Sequence, residues 1–204
     1  MQRYMKSALP FLGVPAPALR GAVRAALAAH PLEPDGWRDP VLELWRGARY
    51  REERYAALEL ARRFGRSANA GDLILFEELI VSGSWWDLVD SAAHLVGNLL
   101  RRYPDPIRFA MLTWARGDDL WKRRASIICQ LGCKGDTDLE LLYACIEPSL
   151  GRPEFFLRKA IGWAPRDLAW SDPHEVDRYV RLHADRLSQL SRREATKHLA
   201  RLLA

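Results

Sequence analysis

The amino-acid sequence predicts an all-α fold, a curved solenoid built from stacked helical hairpins. Apolar residues recur at helical spacing along the chain, strand signals are nearly absent, and the stretches between helical segments are short. Short connections favour antiparallel neighbours, and a repeat of about 35 residues indicates that hairpins of similar size follow one another. A single domain over residues 1–204 is the simplest division, because no low-complexity linker interrupts the pattern.

Nine segments carry the helical pattern most clearly. They are Arg51–Phe64, Asp72–Val81, Ser84–Leu100, Pro106–Ala115, Leu120–Leu131, Leu139–Ile146, Glu154–Trp163, Pro173–Leu187 and Arg192–Leu203. Three starts place a capping residue three positions before a carboxylate, which is the pattern of a capping box. We therefore expect N-terminal caps at Ser84, Asp172 and Ser191.

Alternate helices align on one alanine each. The alanines are Ala56, Ala92, Ala125, Ala160 and Ala195, separated by 36, 33, 35 and 35 residues. Alanine is common, and helices of similar length give similar spacings by chance. A period near 35 that spans two helices is nevertheless typical of helical-hairpin solenoids, so we expect the aligned helices to share one face.

Composition excludes several classes of protein. Of the 204 residues, 49% are hydrophobic and 28% charged, and this much apolar surface offsets the chain entropy and excludes disorder. No stretch approaches the roughly 20 apolar residues of a bilayer helix, and the N-terminal residues lack the apolar core of a secretion signal. Three clustered cysteines are too few for a disulfide framework, so we expect a reducing cytoplasm.

The charge balance is weak evidence for a polyanionic partner. The formal net charge is +5, and all but five of the 31 basic residues are arginine, whose planar fork suits phosphate. A GC-rich genome would raise arginine usage without a functional reason, so composition leaves the partner open.

The segment Ser84–Asp90, SWWDLVD, holds the most informative side chains. Trp86 and Asp90 are four residues apart and point the same way on a helix, and the repeat places Arg124 and Trp163 on the same face of the solenoid. Indoles attract cations, arginine holds phosphate, and a carboxylate stabilises developing positive charge. The set therefore suits a flat cationic ligand attached to phosphate. Taken singly, the tryptophans fit core packing and the charged residues fit solvation better than they fit a functional role.

Several segments resemble one family when they are taken in order. They are YMKS…FLG (Tyr4–Gly13), SWWDLVD (Ser84–Asp90), LWKRRASIICQL (Leu120–Leu131), EFFLRKAIGWA (Glu154–Ala164) and LSRREATKHL (Leu190–Leu199). This order resembles the AlkD type of DNA alkylation repair glycosylases, which are built from HEAT-like repeats. The resemblance covers nearly the whole chain and implies a solenoid of such repeats with a concave basic groove.

The resemblance also implies an activity. Such enzymes hydrolyse the N-glycosidic bond of cationic N3- and N7-alkylated purines (3-methyladenine, 7-methylguanine) in duplex DNA without base flipping, and so initiate base excision repair. We therefore expect double-stranded DNA carrying alkylated purines as the partner, no metal or organic cofactor, and no membrane. We further expect a cytoplasmic monomer that is nucleoid-associated when bound to DNA.

Site residues follow from the same resemblance. It implies that Trp86 and Trp163 pack against the deoxyribose of the lesion and that Asp90 is the catalytic carboxylate. It assigns DNA contacts to Arg124 at a phosphate and, at the DNA-facing cleft, to Tyr4, Phe155, Phe156 and Lys159.

The implied chemistry agrees with these side chains. A purine alkylated at N3 or N7 is positively charged, so it is already a good leaving group and needs no general acid. Its departure leaves an oxocarbenium-like sugar, which an ionised carboxylate and indole faces stabilise. We therefore expect neutral lesions to be poor substrates.

Three features depart from the family pattern. The chain begins three residues before Tyr4, so either its start is truncated or, as we expect, this member lacks the family's first N-terminal helix. Pro165 follows Trp163 closely and is expected to bend the helix there. The stretch 47–54, GARYREER, is unusually basic and is a candidate local phosphate contact.

Other sites and functions stay open at this stage. His94 lies four residues after Asp90 and either pairs with it or is structural. Cys129 and Cys133 lack the further pair that a zinc site needs, so we expect buried cysteines there. The alternative functions are a catalytically silent HEAT-repeat protein that binds bent or branched DNA, and a protein-binding scaffold whose DNA affinity would depend little on salt.

Overall fold

The computed structural model describes residues 2–203, and Met1 and Ala204 lie outside them. The described residues contain helices, turns and loops but no strand, so the predicted all-α class is confirmed. The α-helices are α1 (Gln2–Met5), α2 (Ala16–Ala29), α3 (Arg38–Arg46), α4 (Arg51–Arg63), α5 (Leu73–Gly83), α6 (Trp86–Arg102), α7 (Pro104–Arg116), α8 (Leu120–Ile128), α9 (Leu139–Ile146), α10 (Phe155–Leu168), α11 (Pro173–Leu182), α12 (Gln189–Ala195) and α13 (Leu199–Leu202). Within residues 2–203, no helix combines the length and the apolar character needed to cross a membrane.

The helices form two layers, as stacked hairpins require. The front layer runs α2, α4, α6, α8, α10 and α12, each packed against the next, and the back layer of α3, α5, α7, α9 and α11 packs behind it. One continuous apolar core lies between the layers and includes the buried Trp37, Trp45 and Phe76. The front layer contains the helices aligned by the repeat. Four of the aligned alanines are buried and Ala56 is half-buried, so the prediction that these helices share a face is confirmed.

Polar bonds between consecutive repeats follow the same period. They join residues 34 to 36 positions apart: Arg38 with Asp72, Arg51 with Asp87, Asp90 with Arg124, Lys159 with Glu194, and the backbone N–H of Gly132 with Asp167. Each bond connects one hairpin to the next. The period of about 35 residues therefore recurs in the polar bonds between repeats as well as in the apolar packing.

Several helix boundaries differ from the sequence prediction. The pattern over 120–131 ends as a helix at Ile128, and that over 173–187 ends at Leu182. The segment 192–203 is split, because α12 begins earlier at Gln189 and a turn separates it from α13. Helices α2 and α3 were not among the predicted segments. Helix α2 has no fully buried residue, although Leu19, Val23 and Leu27 form a half-buried apolar face at helical spacing, and α3 buries Val41 and Trp45.

One of the three predicted caps is confirmed and two are wrong. The Asp172 carboxylate accepts the Glu175 backbone N–H at 2.9 Å. Ser84 instead closes α5 in a left-handed conformation with φ of 40°, and Trp85 is the N-cap of α6. Ser191 lies inside α12, and Ser188 accepts its backbone N–H at 3.0 Å. The carboxylates at 87 and 194 bind side chains of neighbouring repeats, so a capping box does not form at either place.

Two glycines allow the front-layer helices to approach closely. A Cβ at Gly97 of α6 would overlap the backbone carbonyl of Cys129 at the end of α8. A Cβ at Gly162 of α10 would lie 2.6 Å from the Cβ of Glu194 and 2.6 Å from the carbonyl oxygen of Ser191 in α12. Backbone atoms cannot move aside as a flexible side chain can, so these positions fix the spacing between repeats.

We predict that Gly97→Ala lowers the free energy of unfolding by about 1–3 kcal/mol, because the added methyl group forces α6 and α8 apart. Urea denaturation measures the change. Gly21→Ala is the matched control, since a Cβ at Gly21 of α2 meets no atom within 4 Å. The control is expected to equal or slightly exceed the wild type. Equal stability of Gly97→Ala and the wild type would contradict this account of the packing.

Candidate active site

A cleft of about 750 Å³ opens on the front layer between α6, α8, α10 and α12. All the residues that sequence analysis assigned to the site line it: Tyr4, Trp86, Asp90, Arg124, Phe155, Phe156, Lys159 and Trp163. Four further residues, which were not predicted, complete the lining: Lys6, Trp85, Arg166 and Glu194. Segments more than 150 residues apart in the sequence therefore meet at one place.

A bidentate ion pair lies at the centre of this cleft. Arg124 donates from Nε to Asp90 Oδ1 at 2.7 Å and from Nη2 to Asp90 Oδ2 at 2.9 Å. Its Nη1 donates to the backbone carbonyl of Phe156 at 2.6 Å, which connects α8 to the start of α10. The side chains of Arg124 and Asp90 are only 4% and 12% exposed. The carboxylate is thus held in one orientation beside the cleft.

The surroundings of Asp90 shift the pKa of its carboxyl group. Burial raises the pKa of the Asp90 carboxyl above its ordinary value, and the hydrogen bonds and charge of Arg124 oppose that rise. Burial has the larger effect, so the pKa of Asp90 remains raised. A partly desolvated carboxylate in a cleft is a common feature of functional sites, although structural ion pairs produce it too.

Arg124 has few N–H groups left for the phosphate contact that the resemblance implies. Three of its five N–H groups already donate to Asp90 and Phe156. Its guanidinium carbon also lies 5.8 Å from the centre of the Trp163 ring, within range of a cation–π interaction. A phosphate could take only the remaining N–H groups. The assignment of Arg124 to phosphate stays a prediction.

The three aromatic residues assigned to the DNA-facing cleft, Tyr4, Phe155 and Phe156, differ in exposure. Phe156 packs in a cluster with Trp85 and Trp121, with ring centroids 5.2 and 5.1 Å away. Tyr4 and Phe155 are 74% and 58% exposed. Phe156 therefore has a structural role in supporting the cleft wall, whereas the exposed rings are available to a ligand.

Trp163 keeps its place in α10 despite the proline two residues later. The helix continues through Pro165 and ends at Leu168, so Pro165 does not terminate it. Pro165 has no backbone N–H to donate within the helix. Trp163 is half-buried between the wall of the cleft and its opening.

The charges around the cleft are predominantly positive. Lys6, Arg124, Lys159 and Arg166 line it, together with two carboxylates, those of Asp90 and Glu194. Lys159 Nζ lies 2.8 Å from Glu194 Oε1, and Arg166 Nη1 lies 2.5 Å from Glu194 Oε2. The repeat register carried a signal for Glu194, because Lys159 and Glu194 each directly precede an aligned alanine. The prediction of a capping box at Ser191 assigned Glu194 to a helix start instead of to the cleft.

A second cavity of about 1090 Å³ adjoins the cleft, and Tyr4 and Trp86 line both. It lies between α2 and the helices α4 and α6, and its charges are mixed, with Arg20 and Arg62 beside three carboxylates. One of these, that of Glu52, accepts the backbone N–H groups of residues 12 to 14 and so holds the segment before α2. The predicted basic character is therefore concentrated in the first cleft.

The basic stretch 47–54 makes contacts within the protein. Arg51 is 4% exposed and donates to Asp87 Oδ1 at 2.6 Å, and the Tyr55 hydroxyl donates to the other oxygen of Asp87. Arg54 lies over the Trp45 ring and donates to the Ser82 carbonyl. These arginines connect hairpins, which differs from the expected local phosphate contact. In this stretch, only the exposed Arg49 projects into solvent.

The structure also shows the surroundings of His94 and of the three cysteines. His94 is exposed beside the second cavity and makes no ion pair with Asp90 among the described residues. Cys129 and Cys145 are buried, Cys133 is half-buried, and all three are free. Burial raises the pKa of the Cys129 and Cys145 thiols, so both remain protonated near neutral pH. No group of three or more potential metal ligands occurs in residues 2–203.

Comparison with known proteins identifies the family. The model of the family described as "DNA alkylation repair enzyme" matches residues 1–199. The chain belongs to this family. A solved structure described as "Predicted DNA alkylation repair enzyme from Enterococcus faecalis" superposes with a TM-score of 0.89 at 26% identity, covering 98% of this chain and 93% of that one. None of the curated proteins matches significantly.

Family membership supports a role in DNA alkylation repair, with DNA as the substrate. The relative from Enterococcus faecalis shares the α-solenoid over nearly its full length. The predicted family and fold class are therefore confirmed. The roles of the individual residues in the cleft of this family member stay predictions.

We predict that Arg124→Gln raises the pKa of Asp90 further and lowers the free energy of unfolding by about 3–5 kcal/mol, because the carboxylate loses its cation while it stays buried. Carboxyl NMR titration and urea denaturation measure the two effects. The control is Arg108→Gln, whose pair with Asp138 is 28% and 43% exposed. It is expected to cost at most about 1 kcal/mol. An unchanged Asp90 titration would show that Arg124 does not stabilise the carboxylate.

Proposed function

We propose that this protein is a DNA glycosylase that hydrolyses the N-glycosidic bond of cationic N3- and N7-alkylated purines, such as 3-methyladenine and 7-methylguanine, in duplex DNA. The observation that supports this most is the Asp90 carboxylate, fixed by Arg124 in a cleft where Trp86 and Trp163 also lie. Its product, an abasic site, is the substrate with which base excision repair continues.

The cleft residues fit a reaction that develops positive charge on the sugar. When the C1′–N bond breaks, its electron pair leaves with the purine and neutralises the base. The C1′ carbon becomes oxocarbenium-like, and an ionised Asp90 held in place stabilises it without reorganising. Water then adds to C1′ and loses a proton. The Asp90 carboxylate accepts this proton in the proposed mechanism. The electron-rich faces of Trp86 and Trp163 favour the same cation.

This arrangement makes base flipping unnecessary. The proposed contacts are to the sugar and the phosphates, and the positive charge of the lesion itself supplies the leaving-group activation. We therefore propose that the damaged base stays in the duplex, in contrast to the glycosylases that extrude it. Selectivity would then come from the charge of the lesion, which is why neutral lesions are expected to react poorly.

A catalytically silent DNA-binding protein is the second candidate. It would use the same cations, but a carboxylate facing the cleft lowers the affinity for a polyanion, and a protein that only binds DNA gains nothing from Asp90. The partly desolvated position of Asp90 therefore favours catalysis. The two candidates differ in whether a base is released.

We expect the purified protein to release 7-methylguanine from an alkylated duplex and Asp90→Asn to release it at least about 100-fold more slowly, because the amide carries no charge. DNA binding by Asp90→Asn should be retained or slightly tighter, since a negative charge is lost. The control is Asp105→Asn, the same chemical change at an exposed position of α7. Release by Asp90→Asn at the wild-type rate would remove Asp90 from the mechanism. No release by any variant, with salt-sensitive binding retained, would favour the silent binder.

The rate of excision should also report the ionisation of Asp90. Because its pKa is raised, the active carboxylate is lost as the pH falls through a value above the ordinary 3.8. Single-turnover excision, corrected for spontaneous depurination, is expected to decline on the acid side in the wild type. Circular dichroism at each pH controls for unfolding. A rate that stays constant down to pH about 4 would be inconsistent with an ionised Asp90 in the reacting complex.

A further inference from the structure

Helix α12 contributes one charged side chain to the cleft, that of Glu194. Gly162 allows α12 to approach α10 so closely that Glu194 reaches the cleft between the two helices. The motif LSRREATKHL, which sequence analysis quoted without a function, supplies this residue. The Glu194 carboxylate caps no helix, because its two oxygens bind Lys159 and Arg166.

These partners lie on both sides of Trp163 along α10. Lys159 precedes it by four residues and Arg166 follows it by three, so all three side chains share one face of the helix. A single carboxylate therefore holds the two cations that flank the indole proposed to cover the deoxyribose. Arg124 approaches the same ring from α8.

The Glu194 carboxylate is less exposed to solvent than the two cations that it binds. The side chain of Glu194 is 13% exposed, whereas those of Lys159 and Arg166 are 38% and 21% exposed. The carboxylate is thus the more deeply placed partner. Each cation uses one N–H in binding it, which leaves two on the ammonium and four on the guanidinium.

Stability alone does not account for this cluster. Burying the Glu194 carboxylate is costly even when it is paired, and an apolar residue of similar size would hold α12 against α10 as well or better. The neighbouring Arg124 uses three of its donors within the protein, so Lys159 and Arg166 have more donors to offer a ligand. Their position beside Trp163 suits the anionic group that is attached to every deoxyribose, its phosphate.

We propose that Lys159 and Arg166 together bind one DNA backbone phosphate next to the lesion, and that Glu194 is a positioning residue that fixes both cations for it. This inference rests on the proposed function only in placing DNA along the cleft. It assigns phosphate binding mainly to α10, with α12 behind it. Arg124 then serves chiefly to orient Asp90.

The salt dependence of DNA binding tests the phosphate contact. Each cation that neutralises a phosphate contributes about 0.9 to the slope of log K against log salt concentration. With an undamaged duplex, Lys159→Gln and Arg166→Gln are therefore each expected to lower that slope by about 0.9 or less, since the pair shares one phosphate. The matched control is Arg181→Gln, an arginine of α11 that is likewise paired with one carboxylate, Asp177. Wild-type slopes in both cleft variants would overturn the inference.

The role of Glu194 is tested by Glu194→Gln, which keeps the size of the side chain but binds the cations less firmly. Single-turnover excision of 7-methylguanine at saturating protein is expected to fall about tenfold, because the phosphate and its sugar are held less well. The control is Glu175→Gln in the back layer, where the carboxylate also binds two partners, Tyr143 and Arg178. Excision by Glu194→Gln at the wild-type rate would exclude a positioning role. If this variant does not fold, the slope of the more exposed Lys159→Gln decides the phosphate site.

The two proposals fail in different ways. Excision with unchanged salt slopes would overturn the phosphate site and leave the glycosylase intact. Lowered slopes without release of 7-methylguanine by the wild type would keep the phosphate site and refute the glycosylase.

Discussion

The close stacking of the front-layer helices sets the distances on which the site depends. Gly97 and Gly162 let α6 meet α8 and let α10 meet α12 with backbone near backbone. At this spacing, side chains one repeat apart reach each other, as Asp90 reaches Arg124 and Lys159 reaches Glu194. A wider separation would leave the same residues on the same face but would break their hydrogen bonds. The packing of these helices and the geometry of the charges in the cleft therefore depend on each other.

The cleft differs from the other contacts between repeats because some of its charged groups remain accessible to a ligand. Between the first hairpins, Arg51 and Asp87 bind each other and Tyr55 completes the set, so these charges are used within the fold. In the cleft, Arg124 holds Asp90 but the carboxylate still faces open space, and Lys159 and Arg166 keep free donors. The same device of charge pairing between repeats thus stabilises one part of the solenoid and orients reactive groups in another. Burial makes these charges costly, and their partners make them tolerable.

Much of the fold and of the candidate site could be predicted from the sequence, for identifiable reasons. The apolar periodicity predicted most of the helices with buried faces, and the alanine register correctly grouped α4, α6, α8, α10 and α12. It missed α2, whose apolar face is only half-buried, and α3, which buries Val41 and Trp45. Local capping rules succeeded at Asp172, whose carboxylate accepts the Glu175 backbone N–H, although the Glu175 side chain itself binds Tyr143 of a neighbouring repeat. They failed at Ser84, which ends α5 in a left-handed conformation, and at Ser191, which lies inside a helix capped by Ser188.

The sequence by itself determined the helical class and the period, which depend on patterns that are local or recur at a fixed spacing, and its ordered motifs indicated the family and eight of the cleft residues. Only the tertiary structure decided which charges bind each other and how far each is buried, since these depend on the distance between helices that are remote in the chain. It placed Arg124 on Asp90, committed the arginines at 51 and 54 to internal contacts, and brought Glu194 and Arg166 to the site. Side-chain identity limits what a residue can bind, but packing selects its partner.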